Sequence, residues 1–233
     1  MNAIITGATK GMGRAIAGKL AASRYDLFLC ARNQAELEEF WEELLAAFPD
    51  VSVFIKATDV GDQAQLSAFT EFVLSHTGHI DVLINNAGLF IPATVLSEGA
   101  DVLQQQLAVN VSAPHFLCRT FGNLMKDRRS GHIINICSIA ALNPVVTAGS
   151  YSVTKFALLG LTRVLREELM AYGVKVTAIL PGSTLTGSWT GTTLPPDRFV
   201  DANDIADAVM TCLAASKGGN IDEIIIRPTQ GNI

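Results

Sequence analysis

The 233-residue chain is 49% hydrophobic and 17% charged, which suits one folded domain with a large core and excludes a disordered polypeptide. Its formal charge of -5 offers no basic footprint for nucleic acid or anionic lipid, and no apolar run reaches the ~20 residues of a membrane span. Four scattered cysteines, Cys30, Cys118, Cys137 and Cys212, have neither zinc-site nor disulfide spacing and are expected to be buried free thiols.

The chain opens on a strand-like run, 3–6, that enters a glycine loop with no charged leader or cleavage site, so a cytoplasmic protein is expected. That loop is Thr6-Gly7-Ala8-Thr9-Lys10-Gly11-Met12-Gly13, followed by an apolar-periodic helix carrying Met12, Ile16 and Leu20. Glycines here let the backbone turn tightly against a pyrophosphate, and a helix N-terminus supplies free N–H groups. The spacing is GxxxGxG rather than GxGxxG. Alone it also reads as an ordinary turn; its place between the first strand and first helix favours phosphate binding.

The second run, 27–31, ends at Cys30-Ala31-Arg32, where NAD-selective sheets usually place a carboxylate. Arg32 could instead grip a 2′-phosphate bidentately and stack on adenine, with Lys10 as a second cation, and this predicts NADP(H). The alternative is that both are solvated surface charges. Residues 33–48 read as a helix with an Asn cap and Leu37, Trp41, Leu44 and Phe48 at helical spacing. Further strand-like runs, 51–57, 82–85, 133–137, 174–180 and 224–226, lack polar alternation and so predict strands buried on both faces. Helical patterns at 62–75, 101–127, 149–172 and 203–215 separate them, and Pro114 marks a junction inside 101–127. This alternation predicts a single α/β domain, 1–233, built on a doubly wound, Rossmann-type parallel sheet of seven strands.

Tyr151 and Lys155 lie four apart on a predicted helix and share a face. A free tyrosine, with a pKa near 10, is a poor base at neutral pH, and a lysine ammonium one turn away favours its phenolate. Ser138 ends the 133–137 run, where ligands gather in such sheets, and its hydroxyl could orient a substrate oxygen toward Tyr151. A YxxxK pair by itself is more often a pair of surface residues.

Taken in order, these motifs make the chain resemble the short-chain dehydrogenase/reductase family over nearly its whole length. The resemblance rests on the glycine loop at 6–13, Asp59-Val60, Asn85-Asn86-Ala87-Gly88, Asn110, Ser138, Tyr151-Ser152-Val153-Thr154-Lys155 and Pro181-Gly182. It implies Tyr151 as general acid/base, Ser138 as the group holding the carbonyl, and Lys155 as the tyrosine's activator and ribose ligand. Asn110 would hold a water in the proton relay. The implied cofactor contacts are Gly7, Thr9, Lys10, Gly11, Met12, Gly13, Arg32, Asp59, Val60, Asn86, Ala87, Gly88, Asn110, Tyr151 and Lys155. To these the resemblance adds Pro181, Gly182, Thr184 and Thr186 around the nicotinamide. Thr184 stands where the family often has valine or isoleucine. Without the family, Asp59 reads as a loop or cap residue and 85–88 as a turn.

In that family the segment after Pro181-Gly182 forms a substrate lid, here about 183–200, with Trp189, Leu194, Pro195, Pro196 and Phe199. Its shortness suggests a small substrate and an open site. The ending Ile224-Ile225-Ile226-Arg227-Pro228-Thr229-Gln230 resembles 3-hydroxy acid (serine-type) dehydrogenases and sepiapterin-reductase-like members. Hydride transfer between NADP(H) and a small carbonyl or alcohol, such as a 3-oxo or 3-hydroxy acid or a diketone, is therefore expected. A 3-oxoacyl-carrier-protein reductase and a non-catalytic dinucleotide-binding regulator are the alternatives.

The histidines, His76, His79, His115 and His132, show no metal spacing, and Glu167-Glu168 reads as a solvated helix face; no metal is expected. Apolar residues of the helices at 101–127 and 149–172 (Leu103, Leu107, Phe116, Leu117, Phe156, Leu159, Val164, Leu169) either pack on the sheet or, as the resemblance implies, form a homodimer or homotetramer interface.

Overall fold

A computed structural model describes residues 1–189, 191–231 and 233. Its seven strands are β1 (Asn2–Thr6), β2 (Asp26–Ala31), β3 (Val53–Ala57), β4 (Val82–Asn85), β5 (His132–Ile136), β6 (Lys175–Pro181) and β7 (Glu223–Ile226). All pair in parallel, in the order β3-β2-β1-β4-β5-β6-β7. The apolar runs of β1, β2, β4, β5 and β6 are buried as a two-sided sheet requires, whereas the edge strands β3 and β7 are only partly covered and Ile225 is exposed. On β1, Ala3 and Ile5 enter one core layer and Ile4 the other, and all three are inaccessible to solvent.

Helices α1 (Gly11–Ala22), α2 (Gln34–Ala47) and α7 (Ala202–Ala214) cover the Ala3/Ile5 face through Ile16, Leu20, Leu37, Leu44, Ile205 and Val209. Helices α3 (Gln63–His76), α5 (Ala113–Arg128) and α6 (Gly149–Met170) cover the other through Leu66, Phe69, Leu117, Phe121 and Leu169. The Asn cap on α2 is present: the Asn33 side chain accepts from the Glu36 amide at 3.3 Å. All four cysteines are buried. No described helix is long and apolar enough to cross a membrane.

The stretch 101–127 is not one α-helix. Helix α4 (Val102–Leu107) passes into a π-helical turn, Ala108–Ser112, before α5 begins. Pro114 then sits in the first turn of α5, where a missing N–H costs little. The junction that Pro114 marks is thus a change of helical register. It also leaves the Asn110 carbonyl without its α-helical donor, because residue 114 has no N–H to give.

The chain runs outward from β1 to β3, then returns to place β4 on β1's other side. The crevice between the carboxyl ends of β1 and β4 is the switch point where ligands bind in such sheets.

Candidate active site

Two loops are welded together at the switch point. The buried Thr6 Oγ1 accepts hydrogen bonds from the backbone amides of Asn86 at 3.1 Å and Ala87 at 3.0 Å. Asn86 Nδ2 returns bonds to the carbonyls of Thr6 at 2.9 Å and Gly7 at 3.0 Å. Gly7 holds a left-handed φ of +66°, and a Cβ at Gly13 would stand 2.2 Å from the Gly7 carbonyl oxygen. Only glycine lets α1 start this close to the loop. Asn86 Oδ1 stays buried with no partner among the described residues, an acceptor at the edge of the space a ligand would fill.

The space itself is a cleft of about 600 Å³ along the strand tips. It brings together Gly7, Thr9, Lys10, Gly11, Met12, Arg32, Asp59, Val60, Asn86, Ala87, Gly88, Tyr151, Lys155 and Thr186. Gly13, Asn110, Ser138, Pro181, Gly182 and Thr184, also expected at the site, are not among the residues that line it. Thr184 is buried, donates to the Gly182 carbonyl at 3.1 Å and pairs with Val200 in an isolated parallel bridge.

Charge is concentrated where β2 and β3 end. Lys10 is committed to Glu36 at 2.7 Å, and that contact holds the Glu36 carboxyl below its usual range. Arg32 is exposed at the cleft edge and has no ion pair among the described residues. Of the two cations expected to face a 2′-phosphate, Arg32 is therefore the one with its charge uncompensated. Asp59 accepts from the Gly61 amide at 2.9 Å, so the loop-residue reading and the cleft position both hold for it.

At the other end, α6 presents Tyr151 and Lys155 one turn apart. The Lys155 ammonium is buried, donates to the Ile136 carbonyl at 3.0 Å and lies 5.6 Å from the centre of the Tyr151 ring. One of its three donors is thus anchored to β5, leaving two for other groups. Ser138 follows Cys137, which lines the cleft, and its Oγ accepts from the Ala140 amide at 3.1 Å. Asn110 is fully buried on the π turn. Its Oδ1 accepts from the Leu89 amide at 2.8 Å, and its Nδ2 donates to the Leu89 carbonyl at 2.9 Å and Thr154 Oγ1 at 3.0 Å. Its side chain thus positions the Leu89 backbone and Thr154.

Three site residues escaped the sequence reading: Glu36, Phe90 and Gln106. None belongs to a compact motif, and each is defined by a partner far along the chain. Phe90 lines the cleft and meets the Tyr151 ring edge to face at 4.9 Å. The segment 183–200 is pinned at its base by bonds from the Leu185 amide to the Val200 carbonyl at 3.0 Å and from the Val200 amide to the Ser183 carbonyl at 2.9 Å. Among the described residues no three His, Cys, Asp or Glu side chains are grouped to hold a metal ion.

A parallel sheet with a glycine loop, a helix N-terminus and a cleft at its switch point defines a dinucleotide-binding class of protein. Within that class, the short chain dehydrogenase family model matches residues 1–194, and the chain belongs to this family. It is 33% identical over 227 residues to an uncharacterized oxidoreductase of Staphylococcus epidermidis, covering 97% of this chain and 96% of that protein. Among solved structures, it resembles a metagenomic short-chain oxidoreductase in complex with NADP (TM-score 0.86, 32% identity, 98% of this chain and 97% of that one). It also resembles an alcohol dehydrogenase from the archaeon Thermococcus sibiricus complexed with 5-hydroxy-NADP (TM-score 0.90, 27% identity, 100% and 98%).

Proposed function

We propose that the chain is an NADP(H)-dependent oxidoreductase that interconverts a carbonyl and an alcohol, with Tyr151 as the proton donor and acceptor. The observation that carries this reading is the pairing of Tyr151 with the buried Lys155 ammonium in the same cleft as the glycine loop. The cleft fits the cofactor: Gly7 to Gly13 and the start of α1 face a pyrophosphate, Asn86 to Gly88 the adenosine ribose, Asp59 and Val60 the adenine. Arg32 takes the 2′-phosphate. The NADP complexes of the two similar structures support the same choice.

When bound, the nicotinamide supplies or accepts the hydride. The protein's own work is proton management. For reduction, Ser138 Oγ and Tyr151 Oη hold the substrate oxygen, and Tyr151 gives it a proton as the C=O bond becomes C–OH. The Lys155 ammonium steadies the phenolate left behind, and its remaining donors bind the ribose hydroxyls. The Asn110 carbonyl, denied its helical donor by Pro114, holds the water that returns the proton from solvent to Lys155. Pro181, Gly182, Thr184 and Thr186 border the nicotinamide, and 183–200 covers it with the substrate.

Exposed Val153, Phe156 and Val164 share one face of α6, with Leu103 exposed on α4, while Leu117, Leu159 and Leu169 are buried. That face supports a homo-oligomer, measurable by light scattering.

Titration with NADPH and NADH, followed by turnover of small ketones and aldehydes, tests the reading. Tyr151→Phe should retain cofactor binding and lose all but about a thousandth of kcat, the scale of a lost general acid. Loss of less than tenfold would remove Tyr151 from its role.

A further inference from the structure

The substrate end of the cleft differs from the adenosine end in having almost no charge. Lys10, Arg32, Glu36 and Asp59 line the cleft where β2 and β3 end, whereas the lining also includes Leu89, Phe90, Ile136 and Cys137, with the Phe90 ring against Tyr151. Among the described lining residues the cation beside Tyr151 is Lys155, and it donates to the Ile136 carbonyl. The charge bound to the start of the catalytic helix is an acid: Glu98 accepts a hydrogen bond from Ser150, the residue before Tyr151, and its Oε2 is buried without a partner among the described residues. Among the residues that line the cleft, Lys155 is the one cation a substrate carboxylate would meet at this end, and Glu98 sets a like charge behind the start of α6.

Phe90 is the apolar group this end displays. It is 44% exposed although it lines the cleft, and its ring stands at 87° to the Tyr151 ring. Its position is built with unusual care. The residue before it is held by Asn110, and the one after it by Gln106, whose Oε1 accepts from the Ile91 amide at 3.2 Å. Both amide side chains are fully buried, and Gln106 Nε2 has no partner among the described residues. Leaving a buried amide donor unsatisfied is costly, so the fixed backbone on both sides of Phe90 carries an energetic penalty elsewhere. Val146 and Val145, five and six residues before Tyr151, add exposed apolar surface in the turn leading into α6.

Resting on the reductase reading above, we propose that Phe90 is a specificity-determining residue. The substrate it selects is an uncharged ketone whose larger substituent is apolar, aryl above all, and packs against the Phe90 ring beside Tyr151. Free 3-oxo acids fall outside this class. The reaction stays balanced as written for any reductase of this kind: one ketone, one NADPH and one proton give one secondary alcohol and one NADP⁺.

Three ketones with the same core separate the possibilities: ethyl 3-oxo-3-phenylpropanoate, ethyl 3-oxobutanoate and free 3-oxobutanoate, each assayed with NADPH. The phenyl ester should exceed the methyl ester in kcat/KM by about tenfold, the scale of burying part of a phenyl ring, and the methyl ester should exceed its free acid by at least as much. Phe90→Ala should collapse the phenyl-to-methyl ratio to near one, chiefly through KM, with NADPH affinity and thermal midpoint retained as evidence of an intact fold. A free acid turned over as well as its ester, or a ratio untouched by Phe90→Ala, overturns the assignment while leaving the reductase standing. No turnover of any of the three by protein that binds NADPH sinks the reductase reading and the assignment together.

Discussion

At Arg32 the balance of charge at the adenosine end rests on a single guanidinium, because Glu36 occupies the Lys10 ammonium at 2.7 Å. Replacing Arg32 by Asp puts a carboxylate where the 2′-phosphate would lie. The ratio of NADPH to NADH affinity should then fall by about a hundredfold, the worth of a charge-assisted bidentate pair plus the new repulsion. Direct titration of both nucleotides reads this, and an unchanged ratio would release Arg32 from the phosphate. A second prediction concerns His132 in β5. Thr177 Oγ1 spends its hydrogen on the Ile221 carbonyl, so it accepts from His132 Nε2 at 2.8 Å, and the ring is neutral. Burial first, then the Lys175 charge, holds its pKa down at about 4. Below pH 6.5 the unfolded chain binds a proton that the folded chain refuses, so stability is lost as pH falls from 6.5 toward 4, by about 3 kcal/mol in all. Urea unfolding at several pH values should show this slope flattened in His132→Gln. Residues such as Tyr151, Lys155 and Gly13 could be found in the sequence because their chemistry demands one residue type at a short, local spacing. Phe90, Gln106 and Glu98 could not: Gln106 acts on an amide 15 residues away and Glu98 on a hydroxyl 52 away.

At the scale of elements, the strands were readable because a sheet covered on both faces needs unbroken apolar runs, and each of the seven runs became a strand within two residues at its ends. The break in 101–127 was readable at Pro114, but the π turn ahead of it was not, since nothing local distinguishes five residues wound one residue wider. Buried polar side chains inside apolar strands were equally hidden. Asn85 Nδ2 donates to Asn135 Oδ1 and Asn135 Nδ2 to Thr162 Oγ1, both at 2.8 Å, joining β4, β5 and α6. Asn135→Ala strands a donor on Asn85 and an acceptor on Thr162 where all three side chains are buried. It should cost about 2–4 kcal/mol, measured by denaturant unfolding, whereas an exposed Asn123→Ala on α5 should cost less than about 0.5 kcal/mol.

For the molecule as a whole, the cleft joins residues from both halves of the chain, Gly7 to Arg32 on one side and Asn86 to Thr186 on the other. A ligand there ties the halves together and stabilises only the folded state. NADPH at a hundred times its dissociation constant adds about 2.7 kcal/mol, or a rise of about 5–10 °C in thermal midpoint for a chain of this length. Differential scanning fluorimetry should show this rise with NADPH and a smaller one with NADH at equal concentration. The strand order has a further consequence in time. Once β3 has been made, β1 lies at the free edge of a three-stranded sheet, and its partner on that side, β4, begins 25 residues later. At ~5–20 residues per second this edge stays open on the ribosome for roughly 1–5 s, long enough to recruit a chaperone or a neighbouring nascent chain. Synonymous codons that slow synthesis between residues 58 and 81 should lengthen that interval and lower soluble yield without altering a single side chain.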